Sequence, residues 1–374
     1  MTNGARSAIT LFLCGDVMTG RGIDQILPHR CAPHLFEPCM DSAKGYVRLA
    51  EAAHGSIRKP VDFAYVWGDA LALLERAAPQ ARIVNLETAV TTAEDAWPGK
   101  GIHYRMHPAN VACLGAAKID CCTLANNHVL DWGYAGLAET LATLRAAGIL
   151  TAGAGRDVGE AAAPACIQTG GGGRVLVHAW GAASAGVSSA WAARASRAGV
   201  NFLPDLSPPT ADGISRHVQA SKRAGDVAVA AIHWGGNWGY DVPRAHREFA
   251  HRLIDAGGVD LVCGHSSHHP LGIEVYRGKA ILYGCGDFLN DYEGITGLES
   301  WRSDLCLMYL PALDPATGAL VDCALVPMQI RGLRVRRAPP DDARWLREVL
   351  DREGARFGTR VEPAADGALA LRWS

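Results

Sequence analysis

Three strand-like segments of this chain each end in a polar cluster that carries a histidine. Val259–Cys263 leads into Gly264-His265-Ser266-Ser267-His268-His269, Ile119–Leu124 leads into Ala125-Asn126-Asn127-His128, and Val227–Ile232 leads into His233-Trp234-Gly235-Gly236. Apolar strands of this length that deliver polar groups at their carboxyl ends belong in a sheet buried on both faces. In such α/β sheets ligands bind at the carboxyl edge. Neutral imidazole is also the commonest metal ligand, so the pattern predicts a metal site at that edge.

The rest of the 374 residues alternates between the two kinds of segment, which argues for an α/β fold. Ile9–Cys14, Ala81–Leu86, Pro164–Thr169, Arg174–Trp180, Gly272–Tyr276, Lys279–Gly284, Leu305–Leu310 and Leu320–Gln329 read as further strands. Apolar spacing predicts helices over Val66–Arg76, over Tyr134–Ala147 with Gly148 as its stop, over Ser215–Arg223, over Pro243–Ala256 with Pro243 at the first position, and over Arg344–Arg352. The tetraglycine Gly170–Gly173 reads as a hairpin loop, because Arg174-Val175 follows it where a phosphate loop needs Lys-Ser/Thr and a helix. The expected organisation is one domain over residues 1–335, with residues 28–62 as an insertion at the rim of the site. Residues 336–374 are expected as a helix/strand extension packed on the same domain.

Composition removes several classes. A formal net charge of −2 gives no electrostatic footprint for nucleic acid or an anionic membrane. No apolar run reaches the length of a membrane span. Ala8–Cys14 runs directly into Gly15-Asp16 without a cleavage site of small residues, and so reads as a first strand and not a signal peptide. Eleven cysteines, with no C-x-x-C pair and most of them in strand-like runs, fit buried reduced thiols in a cytoplasmic protein. Oligomeric state is not legible.

The chemistry-bearing residues form a set. Asp16 follows the first strand, and Glu87 leaves the end of Ala81–Leu86 in Asn85-Leu86-Glu87. Asn126, Asn127 and His128 follow the next strand, with Asp131 three residues on, and His233, His265 and His268 complete the group. A lone histidine in a turn is ordinarily a hydrogen-bonded loop residue. Carboxylates, amides and imidazoles at matching strand ends instead supply the donors of a hydrolytic centre, in which a carboxylate bridges two ions about 3.5–4 Å apart.

These segments also resemble a known family. Gly15-Asp16-Val17-Met18-Thr19-Gly20-Arg21, Asn85-Leu86-Glu87, Ala125-Asn126-Asn127-His128-Val129-Leu130-Asp131-Trp132-Gly133, His233-Trp234-Gly235 and Gly264-His265-x-x-His268 are similar to the motifs of the CapA/PgsA family. That family includes proteins linked to poly-γ-glutamate capsule synthesis and belongs to the calcineurin-like metallophosphatase superfamily. Tyr283-Gly284-Cys285-Gly286-Asp287-Phe288 resembles the family's Tyr-Ser-Leu-Gly-Asn-Phe segment, with Asp287 in place of Asn. The resemblance implies a four-layer sandwich of two packed sheets flanked by helices, and one or two divalent ions (Mn, Fe or Zn). It implies Asp16 and His268 as ligands of a first metal, Glu87 as a bridge, and Asn127, His233 and His265 as ligands of a second. It further implies His128 as general acid oriented by Asp131, with Arg21 and Asn126 contacting an anionic substrate. Met18 stands where the superfamily has a metal-binding histidine, so the second site is expected to be the better occupied.

The implied function is hydrolysis of an anionic phosphoester or γ-glutamyl amide by metal-activated water, with an anionic small molecule or glutamyl peptide as partner. The alternative, from another class, is a non-catalytic accessory protein of poly-γ-glutamate or capsule synthesis or export.

Overall fold

Side chains along the strand Val227–His233 alternate between two apolar environments, which is why the run is apolar throughout. Val229 and Ala231 face a core shared with a second sheet, whereas Ala228, Ala230 and Ile232 face helices. The helices are Pro208–Ser221, which contributes Ala211, Ile214 and Val218, and Arg244–Asp255, which contributes Phe249, Ala250 and Leu253. The other sheet repeats the pattern. Leu11, Leu13 and Ile83 point inward, while Phe12, Cys14 and Val84 lie under the helices Ala70–Ala77 and Gly133–Ala146. Helix, sheet, sheet and helix therefore stack as four layers of an α/β sandwich. The computed structural model describes residues 8–170, 172–297 and 299–374.

The first sheet runs in the order Thr359–Pro363, Leu369–Trp373, Leu320–Ile330, Leu305–Leu313, Ile9–Val17, Ala81–Leu86, Cys121–Thr123, Leu150–Ala152, with Asp287–Leu289 also on Ile9–Val17. From Ile9–Val17 to Leu150–Ala152 the pairs are parallel. The second sheet runs Ala165–Gln168, Arg174–Ala182, Val227–His233, Leu261–His265, Lys279–Leu282, Ile273–Tyr276, and its middle four strands are parallel. Crossover connections return each parallel strand to the same starting edge, most of them through helices and the last, into Lys279–Leu282, through the antiparallel strand Ile273–Tyr276. The parallel strands of each sheet therefore share a carboxyl edge.

Several element boundaries differ from the sequence pattern for local reasons. The helix expected from Val66 begins at Ala70, because Tyr65–Trp67 forms a 3-10 turn that Gly68 ends at φ 47°. The helix expected from Ser215 begins at Pro208, with the Ser207 hydroxyl accepting from the Thr210 amide. The Pro208-Pro209 pair looks like a breaker but fits the first turn, where no amide is needed. Pro243 precedes the helix Arg244–Asp255 as its cap and is not its first residue. Gly148 closes Gly133–Ala146 at φ 73°. Around the tetraglycine, Gln168 faces Arg174 in an antiparallel pair, which closes a hairpin; Gly171 lies outside the described residues.

Residues 28–62 hold the small hairpin His34–Glu37 and Met40–Ser42 and the helix Lys44–His54. Residues 336–374 supply the helix Pro340–Gly354 and two strands of the first sheet. Among the described residues no helix is long and apolar enough to cross a membrane.

Candidate metal centre

Register brings the strand-end residues together. Asp16 pairs with Asn85 on one side and with Asp287 on the other. Asn85 pairs with Thr123, just before the Asn126–His128 turn, and His233 pairs with His265 across the second sheet. The close approach depends on Gly15: a Cβ there would lie 1.9 Å from the Gly286 carbonyl oxygen. Ser266 holds a φ of 96° in the turn between His265 and His268, and its amide donates to Asp16 Oδ2 at 3.2 Å. Backbone strain of this kind persists where surrounding contacts over-determine it.

Two neighbouring groups result. In the first, Asp16, His268 and Asp287 offer ligand atoms that all lie within 4.8 Å of one another, and His268 Nδ1 sits 2.8 Å from Asp287 Oδ1. In the second, His233 Nε2 lies 2.9 Å from Asn127 Oδ1 and 3.8 Å from Glu87 Oε1, while His128 Nε2 lies 3.7 Å from the same Glu87 oxygen. The Asn85 amide links the two groups, donating to Asp16 Oδ1 at 2.7 Å with His233 Nδ1 at 3.5 Å. His128 Nδ1 is 2.6 Å from Asp131 Oδ2, a pairing that fixes the orientation of the ring.

Three residues sit otherwise than the sequence pattern suggested. The Asn126 side chain has no exposed surface: its amide donates to Asn85 Oδ1 and the Leu86 carbonyl, and its oxygen accepts from the His128 and Val129 amides. It shapes the turn that presents His128 and has no group left for a substrate. Arg21 is 4% exposed, with Nε donating to Asp291 at 2.8 Å and a terminal nitrogen donating to Glu37 at 2.8 Å. Its guanidinium lies 3.6 Å from the Tyr46 ring centroid, so it pins the 28–62 segment to the rim. His265 lies beside Asp16, but its Nε2 faces the Cys263 thiol at 3.8 Å. Among the described residues, the compact group of carboxylates and imidazole is the first, Asp16, His268 and Asp287.

The sequence motifs contain Asn85 and Asp287 without giving either a place in the centre, and Lys100 lies outside them. Asn85 is a polar residue at the end of an apolar strand, the signal that exposed Asp16, whereas Asp287 begins its strand. Lys100 comes from a loop with no such signal, and its ammonium pairs with Asp131 and lies 3.0 Å from His128 Nδ1.

The electrostatics favour a cation. Burial pushes Asp16 up, but the facing His233 and His265 rings and the neighbouring Glu87 carboxyl hold it below the usual carboxylate range. Burial, then the charges of Asp16 and Asp287, push Glu87 well above that range. Burial also raises Asp287, against the opposing pull of His268. Burial lowers His233 to about 3 and His128 to about 4, so both rings are neutral at pH 7 and available as ligand or hydrogen-bonding base. Glu87 Oε2 is buried and has no hydrogen-bond partner. An orphaned carboxylate oxygen among repelling carboxylates and neutral imidazoles is the donor set that borderline divalent ions take.

A protein of Mycobacterium tuberculosis named "Probable polyglutamine synthesis accessory protein" is 48% identical over 369 residues, covering 98% of this chain and 97% of its own. "PGA biosynthesis protein CapA" of Bacillus subtilis is 23% identical over 74% of this chain and 62% of its own length. A solved phosphatase from Mycoplasma pneumoniae superposes with a TM-score of 0.45 at 9% identity, over 89% of this chain and 95% of that one. The profile described as "Bacterial capsule synthesis protein PGA_cap" matches residues 10–292, the stretch that carries every residue of the centre. On that match and the mycobacterial identity, this chain belongs to the PGA_cap family of bacterial capsule synthesis proteins.

Proposed function

We propose that this protein is a metal-dependent hydrolase whose substrate is an anionic phosphoester or a γ-glutamyl amide. The observation that carries the reading is the buried Asp16–His268–Asp287 group set against the orphaned Glu87 oxygen and the His128–Asp131 pair. Asp16, His268 and Asp287 would hold one divalent ion (Mn, Fe or Zn). Glu87, Asn127 and His233 would hold a second. A bound ion would supply Lewis acidity and lower the pKa of water toward neutrality. His128 would move a proton at Nε2 to or from the leaving atom, and Asp131 would hold the opposite nitrogen in the required tautomer. Asn126 and Asn85 would keep these groups in place.

A second reading has one observation in its favour. The mycobacterial relative is named an accessory protein of polyglutamine synthesis, and a non-catalytic polymer-binding role would follow if this chain works as that name suggests. Elemental analysis of the purified protein, then turnover of bis(p-nitrophenyl) phosphate and γ-glutamylglutamate with added Mn²⁺, Fe²⁺ or Zn²⁺, separates the two. Metal with turnover of either substrate supports the hydrolase. Full metal loading with neither turned over leaves the accessory reading.

A further inference from the structure

We propose that Lys100 is the side chain that recognises an oxyanion, carboxylate or phosphate, on the leaving-group side of the centre. The proposal rests on the hydrolase reading for the words "leaving group", but binding alone can decide it. The site needs a cation for an anionic ligand, and Arg21 cannot provide it, being closed off by Asp291 and Glu37. Lys100 stands at the Nδ1 edge of the His128 ring, beside Asp131, with Nζ 3.0 Å from Nδ1. It is reached from a solvent-facing turn: Pro98, Gly99 and Gly101 are exposed, and the Lys100 side chain is 19% exposed.

Its present partner keeps two other donors on its second oxygen. Asp131 Oδ2 accepts from His128 Nδ1 at 2.6 Å and from the Tyr104 amide at 2.6 Å, while Lys100 sits on Oδ1. If the ammonium left for an incoming oxyanion, Asp131 would keep both other donors and the His128 ring would stay oriented. Lysine suits such an exchange, since it is a compact charge on a flexible four-carbon stem. The Trp191 ring, 5.8 Å from Nζ, gives the ammonium a second support along the way. The Lys100 charge also acts on Glu87, lowering it against the larger effects that raise it. A substrate carrying a negative charge beside its leaving atom would therefore meet His128 and Lys100 together. A free glutamyl carboxylate next to a scissile amide nitrogen has that layout, and so does a leaving alcohol that itself carries a phosphate.

The test is calorimetric titration of Mn²⁺-loaded protein with inorganic phosphate and, separately, with γ-glutamylglutamate. Wild type is compared with Lys100→Gln, which keeps a polar side chain but no charge, and with Lys100→Arg, which keeps charge. Expected is a loss of about ten- to hundredfold in affinity for the oxyanion in Lys100→Gln, the range for a hydrogen bond to a charged group, with recovery in Lys100→Arg. The arm that shows the loss tells phosphate from carboxylate. Equal affinity of Lys100→Gln and wild type overturns the proposal, as does a wild type that binds neither probe. Metal content of each variant, measured on the same sample, shows whether the centre itself survived. A Lys100→Gln protein with wild-type binding but slowed turnover would make Lys100 a strut for Asp131 and likewise overturn it. Absence of turnover in all proteins defeats the hydrolase reading while the titrations still decide Lys100.

Discussion

At the scale of single residues, the centre turns on which groups are ligands and which support them. Asp287 completes a compact group with Asp16 and His268, whereas His265 turns its Nε2 to Cys263. Asp287→Ala is therefore expected to weaken metal binding at least about tenfold, more than His265→Ala does; even outer-shell changes around metals cost about 10–100-fold. Metal titration of the two variants ranks them, and the reverse order would restore Asn127, His233 and His265 as the dominant set. His128→Ala should keep its metal and lose about 10²–10⁴-fold in turnover, the usual worth of a placed acid or base. Turnover and metal content on one sample read both at once. Asp16, Glu87 and the histidines were legible in the sequence because polar residues interrupt apolar strands there. Lys100 was not, because only the fold of the loop around Pro98–Gly99 brings it back to His128. Arg21 and Asn126 stood in the right motifs, yet their hydrogen bonds turn inward, and no spacing in the chain reports which way a side chain is satisfied.

At the scale of elements, the outer helices carry histidines whose protonation bears on stability. His246, on the helix Arg244–Asp255, stacks 4.4 Å from the Trp234 ring at an interplanar angle of 9°. Burial lowers it from 6.5 to about 4. Between those values the unfolded chain holds a proton that the folded chain refuses, so acid favours unfolding there. The stabilising contribution is complete above pH 6.5 and is lost as pH falls through about 4. The gap corresponds to roughly 3 kcal/mol at most. His246→Phe keeps a stacked ring without the proton, so its Tm should fall less than that of wild type as pH drops from 6.5 to 4, measured by differential scanning calorimetry. Parallel loss in both proteins would remove His246 from the account. Element positions were largely legible, since strands and helices differ in the period of their apolar residues. Their ends were less so. Pro208 and Pro243 each begin or precede a helix, and the pattern alone does not say which turn a proline occupies.

At the scale of the whole molecule, the family match ends at residue 292 while the inter-sheet core does not. Leu346 and Leu350 of the late helix, with Val361, Leu369 and Leu371 of the last two strands, lie in the same cluster as Leu11, Val177 and Val229. The last two strands also extend the first sheet from Leu320–Ile330, with Ala370 facing Ala324. Removing residues 336–374 would expose part of that strand as an unpaired edge, the usual template for aggregation. It would also strip five apolar side chains from the core. At about 1.5–3 kcal/mol for each buried side chain, the loss is on the order of 10 kcal/mol, comparable to the whole stability of a typical domain of about 5–15 kcal/mol. A chain ending at residue 335 should therefore be recovered in aggregates and show no cooperative thermal transition, while the full chain melts in one. Soluble expression and calorimetry of the two lengths check this. A soluble truncated chain that melts cooperatively and still binds metal would mean that the part built around the centre folds without the extension, and that the late helix and strands were added to a core already closed.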